Sequence, residues 1–223
     1  MRIKGNYVPK REVLLCSSSI TIGEALEHLN KTGYRCVPVL DEKKEKFLGN
    51  IYKVDILEYK GSLDESVIQL LNDKEGFVRE DSSFFKVFFT IKKLPYLSVV
   101  DEKGVFLGIL THKKVFELLE DAWGVHSSKY SVMIGTQDYN GAIQKLSTVL
   151  KKYTGIQSLM TFDNDALLVR RIMFTLGEEF NDGELETLLK DLEDHGFRVV
   201  YVTCIKLFEN NDRIIGDIIT IFV

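Results

Sequence analysis

Three prolines and three cysteines are all that the 223 residues contain, and each scarcity closes a class of answer. So few prolines, in a chain that is 45% hydrophobic and 28% charged, exclude long disorder and leave enough apolar side chains for a buried core. Cys16, Cys36 and Cys204 are odd in number, far apart and flanked by apolar residues. They form no CxxC pair, so neither a disulfide framework nor a zinc site is expected, and buried thiols are the plain reading. The four histidines, His28, His112, His126 and His195, share no metal-ligand spacing. No run approaches the ~20 apolar residues of a membrane span. The 29 basic and 33 acidic side chains leave a formal charge of −4, the wrong sign for a general nucleic-acid binder. No apolar run follows Met1-Arg2-Ile3-Lys4 as a signal peptide requires. A soluble, cytoplasmic protein of one or two domains is expected, at roughly 100–200 residues per domain.

What the chain does have is a repeat. Pro38-Val39-Leu40-Asp41-Glu42-Lys43 matches Ser98-Val99-Val100-Asp101-Glu102-Lys103 at a spacing of 60, and Phe47-Leu48-Gly49 matches Phe106-Leu107-Gly108 at 59. The one-residue slip falls in the intervening turn, where insertions are tolerated. In the first copy, Val13-Leu14-Leu15-Cys16 reads as a strand. Thr21 stands three residues before Glu24, a capping-box spacing that opens a helix, and Gly33 suits its C-terminal cap. Residues 36–40 and 47–52 are strands around a charged hairpin, and a second helix runs over 53–59. The second copy repeats the order over 77–78, 81–93, 96–100, 105–110 and 112–121. Two β-α-β-β-α units are thus expected, repeat 1 over 8–60 and repeat 2 over 61–123, in a domain of residues 1–124.

Residues 125–129 read as a linker, after which the pattern changes. Strands are expected at 130–135, 156–162, 167–176 and 197–205. Helices are expected at 142–150, where Ala142, Ile143, Leu146, Val149 and Leu150 share a face, and at 182–195, where Leu185, Leu188, Leu189 and Leu192 do. Asp163-Asn164-Asp165 forms a loop, and 214–223 supplies an edge strand. The order β-α-β-β-α-β over 128–223 is ferredoxin-like, and the whole chain is α+β.

Gly33-Tyr34-Arg35-Cys36-Val37-Pro38-Val39-Leu40-Asp41 followed by Phe47-Leu48-Gly49 resembles the signature of a CBS domain, and the two copies resemble a CBS pair (a Bateman module). Asp138-Tyr139-Asn140-Gly141-Ala142-Ile143 resembles the first turn of ACT domains, with Asn140 where that family usually has proline. The CBS resemblance implies two clefts for adenosine-containing ligands, each between the early strand of one repeat and the last helix of the other. It implies a hydroxyl and, three residues later, a ribose-binding aspartate at the start of each last helix. The first copy has Tyr52-Lys53-Val54-Asp55 there and the second Thr111-His112-Lys113-Lys114, so the clefts differ chemically.

Thr111 is expected to cap its helix. His112, Lys113 and Lys114 then crowd the first turn, where the helix dipole favours anions; a bound phosphate reverses that penalty, whereas lysines extended into solvent make it small. On the resemblance, this basic turn faces Leu14, Cys16, Tyr34, Arg35 and Val37. Leu14 and Cys16 would supply an apolar slot, Tyr34 a stacking face and Arg35 a guanidinium for phosphate. The second cleft combines Tyr52 and Asp55 with Phe77, Arg79, Pro95 and Tyr96, and is expected to bind poorly.

Lys31-Thr32-Gly33-Tyr34 with Val37-Pro38-Val39-Leu40-Asp41 is similar to cyclic di-AMP-binding CBS proteins of Gram-positive bacteria. That resemblance implies a non-enzymatic receptor for the dinucleotide, acting as a homodimer on a partner protein, with no catalytic residues, cofactor, metal, nucleic acid or membrane. Two alternatives stand beside it: a sensor of AMP, ATP or S-adenosylmethionine, and a constitutive homodimeric interaction module that binds no ligand.

Overall fold

A computed structural model describes residues 3–137, 140–164 and 169–205. It divides into two compact units, Met1–Leu118 and Leu119–Val223.

The first unit contains both repeats. Repeat 1 runs β1 (Val8–Pro9), β2 (Cys16–Ser17), α1 (Ile22–Thr32), β3 (Cys36–Leu40), β4 (Phe47–Tyr52) and α2 (Lys53–Glu58). Repeat 2 runs β5 (Phe77–Arg79), α3 (Phe84–Ile91), β6 (Tyr96–Val100), β7 (Phe106–Thr111) and α4 (His112–Trp123). The local chemistry of α1 follows its sequence. Thr21 Oγ1 accepts from Glu24 N–H at 3.2 Å while Glu24 Oε2 accepts from Thr21 N–H at 2.8 Å, and Gly33 closes the helix at φ +74°. Such a box contributes about 1 kcal/mol. The aspartate of each Asp-Glu-Lys copy has a job in its hairpin. Asp41 Oδ1 accepts from Glu45 and Lys46 N–H, and Asp101 Oδ1 from Lys103 and Val105 N–H. Those two amides hold the Asp41 carboxyl below its ordinary pKa.

β1 does not join its own repeat. Val8 pairs with Ile109 and Pro9 with Gly108, so the chain's leading segment is an edge strand of repeat 2, in the order β1-β7-β6-β5. The segment before β5 makes the reciprocal crossing: Asn72 and Asn50 exchange backbone hydrogen bonds of 2.7 and 2.9 Å. Asn50 stands in β4 where Ile109 stands in β7, so the crossings share a register. Each passes over the glycine of Phe-Leu-Gly. A Cβ on Gly49, at φ +151°, would lie 2.8 Å from Asn72 O, and one on Gly108 would collide with Val8 O. That close approach is why both copies have glycine there.

Three contacts join equivalent positions and so mark the pseudo-twofold axis. Cys36 Sγ lies 3.6 Å from Tyr96 Oη, Lys46 bridges Val105, and the rings of Phe47 and Phe106 stack at 6.5 Å.

The second unit orders β8 (Ser128–Thr136), α5 (Ala142–Leu150), β9 (Ser158–Asn164), β10 (Val169–Gly177), α6 (Leu185–Asp194) and β11 (Arg198–Cys204). Its antiparallel sheet runs β11-β8-β10-β9, the ferredoxin-like arrangement expected. Val132 and Ile134 of β8, Ile172, Phe174 and Leu176 of β10, and the leucines of α5 and α6 form one core. The alternation along β10 turns every second side chain toward it. Gly141 sits at φ +81° as the N-cap of α5, and a Cβ there would meet nothing within 4 Å. It serves backbone conformation, not close approach.

The structure corrects several boundaries. The strand expected over 13–16 is β2, because Val13 instead closes a 3-10 turn at Lys10–Glu12. α3 is shorter than 81–93, Ser83 being its N-cap. β8 begins at Ser128, within the expected linker. The first turn of the helix expected from 182 is a 3-10 turn, Asp182–Glu184. Asp138, Tyr139, Asp165 and the strand expected over 214–223 lie outside the described residues.

Substituting Gly49→Ala or Gly108→Ala is expected to cost about 2–3 kcal/mol by overpacking against the crossing backbone. Gly155→Ala, with open space at its Cβ, is the control and should stay within about 0.5 kcal/mol. Urea unfolding checks both; a neutral Gly49→Ala would refute the assigned constraint.

Candidate functional site

In both repeats the first residue of the last helix contacts the carbonyl that precedes the central strand, through the backbone in one copy and the side chain in the other. Lys53 N–H donates to Arg35 O at 2.9 Å at the start of α2, and His112 Nδ1 lies 3.1 Å from Pro95 O at the start of α4. Cys36 and Tyr96, one residue further along, touch across the axis. The starts of α2 and α4 are therefore equivalent places, and their chemistry diverges.

At α4, Thr111 Oγ1 accepts from Lys114 N–H at 3.3 Å, the cap that the residue type implies. No acidic residue occupies the first turn. Lys114 Nζ lies 2.6 Å and Lys113 Nζ 3.9 Å from the Glu117 carboxylate, one on each oxygen. Glu117 consequently titrates below its ordinary range, chiefly through the Lys114 hydrogen bond. The lysines are thus paired with their own helix, but on the surface, where such pairs contribute roughly 0–1 kcal/mol and exchange readily for a stronger anion.

At α2 the aspartate is present and already engaged. Asn72 Nδ2 donates to Asp55 Oδ2 at 2.7 Å. Tyr52 makes no cap; its hydroxyl donates to Asp73 Oδ2, which also accepts from Asn50 Nδ2 at 3.4 Å. Tyr96 Oη, in turn, donates to Asn50 Oδ1 at 2.8 Å. Asn50 is fully buried, so these partners offset what an unpaired amide would cost, about 1–3 kcal/mol. Burial, reinforced by Asp73 at Tyr52 and by Cys36 at Tyr96, raises both phenols far above their ordinary pKa. Burial likewise pushes the Cys36 thiol up to about 11.

Of the residues expected around the basic turn, Tyr34 and Arg35 are exposed on the loop before β3, and Leu14 is half-buried at the margin of the repeat 1 core. The structure corrects the expectation for Cys16 and Val37. Each is 2% exposed and packs in that core with Ile22, Ala25 and Leu29. β3 is buried from Val37 to Leu40, and burial pushes the Cys16 thiol up to about 11. Among the described residues no hydrogen bond joins Tyr34 or Arg35 to residues 111–114. Of the residues expected in the second cleft, Tyr52 and Tyr96 share one network through Asp73 and Asn50, Asp55 pairs with Asn72, and Arg79 pairs with Asp81 at 3.5 Å. An open depression of about 470 Å³ lies instead at the hairpin end of β3, lined by Ser18, Asp41, Glu42, Lys43, Glu45 and Lys46.

Asn50, Asn72 and Asp73 join the site without having been expected there. A signal exists in the sequence: Asn50 interrupts an apolar strand at the position where the second copy has Ile109, and a buried amide demands partners.

A family model described as the CBS domain matches the chain twice, at residues 5–62 and 67–121. No curated protein matches it. Among solved structures, the chain is similar to a CBS domain pair/ACT domain protein from Thermotoga maritima, at 25% identity and a TM-score of 0.48 over 55% of this chain and 98% of that one. It is similar to CbpB in complex with c-di-AMP at 20% identity and a TM-score of 0.50, over 54% of this chain and 85% of that one. A conserved protein from Geobacillus kaustophilus is 27% identical, with a TM-score of 0.49 over 54% and 97% of the two chains. The likeness to CbpB shows a shared fold over the part it covers.

The raised thiols set a pH dependence. Cys16 and Cys36 titrate near 11 when folded, against an ordinary value of 9.0, so the unfolded chain loses those protons first. Their contribution is fully present below about pH 9 and declines as pH rises toward 11, with a loss on the order of 2 kcal/mol per thiol. The melting temperature should hold from pH 7 to 8.5 and fall above 9, less steeply in Cys16→Ala/Cys36→Ala. An equal slope in that variant would refute the assignment.

Proposed function

Because the chain belongs to the CBS domain family, through two copies that fill just over half of it, we propose that it is a regulatory receptor for an adenine nucleotide and that this nucleotide is cyclic di-AMP. The observation that carries the proposal is the inequality of the two helix starts. One is capped by Thr111 and carries His112, Lys113 and Lys114 without a carboxylate in its first turn. The N-terminal N–H end of the helix and two lysines that leave only a surface carboxylate to reach an anion share one turn, and a phosphate suits both. CbpB, which has this fold, is seen in complex with c-di-AMP, and that supports carrying the dinucleotide over to this chain. Tyr34, 57% exposed, offers a face on which a base can stack, and Arg35 a planar cation beside it.

The proposed role is regulatory and cytoplasmic, without turnover. A ligand alters output only through differential affinity for two states, here states of a homodimer or of the second unit that a partner protein reads. Leu57 and Phe116, equivalent positions on α2 and α4, are 65% and 59% exposed, and exposed apolar side chains of that size on both last helices support self-association. A second reading, a constitutive interaction module, draws on the Lys113–Glu117 and Lys114–Glu117 pairs, which satisfy the basic turn without a ligand.

Isothermal titration with cyclic di-AMP, AMP, ATP and S-adenosylmethionine decides between them. Micromolar or tighter binding of the dinucleotide is expected, weakened at least tenfold in Lys114→Glu with the oligomeric state unchanged. A mononucleotide bound in its place would retain the sensor and remove the dinucleotide. No heat with any of the four would leave the interaction module.

A further inference from the structure

The two crossing segments occupy equivalent places in equivalent register, yet only one of them can form side-chain hydrogen bonds to the helix start it passes. Val8 and Pro9, the pair that crosses β7, have apolar side chains, and among the described residues they make no hydrogen bond to residues 111–114. Asn72 and Asp73, the pair that crosses β4, make three side-chain hydrogen bonds: Asn72 to Asp55 and Tyr52 to Asp73 at the start of α2, and Asn50 to Asp73 within β4. Asp73 makes its bonds from a left-handed backbone, φ +50°, a conformation that aspartate adopts more readily than most non-glycine residues. The connection between repeats thus makes side-chain hydrogen bonds at its helix start, where Val8 and Pro9, among the described residues, make none.

We propose that the inter-repeat segment around Asn72 and Asp73 is a built-in occupant of the second cleft, so that the CBS pair takes up one adenine nucleotide from solution and not two. The inference rests on the reading of the α4 start as a nucleotide site, because the pseudo-twofold axis makes the α2 start its counterpart. A nucleotide entering there must displace Asn72 from a carboxylate and Asp73 from a phenol and an amide. Hydrogen bonds to charged groups are about twice as strong as neutral ones, and Asp55 and Asp73 also repel a phosphate. Release of the latch needs no unfolding, since the backbone pair between Asn50 and Asn72 is independent of both side chains. The latch and the ligand therefore compete for the same groups, and Asp55 is the residue they contest.

The test counts nucleotide sites. AMP is titrated into the full chain, into Asn72→Ala/Asp73→Gly, and into that variant with Asp55→Ala added. Glycine suits the left-handed backbone at 73, so folding is retained; Asn72→Ala alone, which frees Asp55 and adds no charge, is the second opened variant. The expected result is one more AMP site in each opened variant than in the wild type, and its loss when Asp55 is removed. If the wild type binds neither cyclic di-AMP nor AMP but the opened variants gain an Asp55-dependent AMP site, the reading of the α4 start fails and the latch stands. Two sites in the wild type, or no gain in either opened variant, would overturn the latch whatever happens at α4.

Discussion

Everything in the first unit depends on an exchange of backbone: each repeat completes its neighbour's sheet with the segment that precedes its own first strand. The exchange needs a strand with no Cβ at the point of crossing, and Gly49 and Gly108 meet that need. It fixes the axis, places Cys36 against Tyr96 and Phe47 against Phe106, and brings a connecting segment over the start of each last helix. The functional candidates are consequences of that geometry, since neither helix start would have a neighbour from the other repeat without it.

On this symmetric frame the side chains are not symmetric. Four substitutions between copies, Tyr52 for Thr111, Asp55 for Lys114, Asn50 for Ile109 and Cys36 for Tyr96, convert one helix start from a capped, cationic end into an acidic one tied into a buried hydrogen-bond network. None alters the fold, because each of these residues lies in a strand or in the first turn of a helix whose backbone both copies share. The binding properties are separable from the architecture for that reason.

Much of the architecture is legible because it is written in local patterns. The Thr21–Glu24 box, the closing Gly33, the aspartates of both hairpins and the leucine faces of α5 and α6 act within a few residues of themselves, and the structure has them as the sequence implies. β1 escapes such a reading for the opposite reason: Val8-Pro9 has no periodicity and becomes a strand only by pairing with Ile109 and Gly108, about a hundred residues away. The site is legible in part. Thr111 as a cap follows from residue type, whereas the burial of Cys16 and Val37 depends on what packs over their strands. The Asn72–Asp73 contacts depend on a crossing that sequence alone does not announce.

The contact between Cys36 and Tyr96 has an evolutionary corollary. Were each repeat a separate polypeptide, two copies would pair about a true axis, and every residue on it would meet its own twin. A tyrosine there would face a tyrosine, too much volume for the place, and a cysteine would face a cysteine, an oxidisable pair. Fusion into one gene product removes that restriction: the two sides of the axis mutate independently, and a large phenol can settle against a small thiol. Asymmetry at the axis is thus open to a tandem duplication and closed to a homodimer of single repeats, and once acquired it makes separation back into identical single repeats costly.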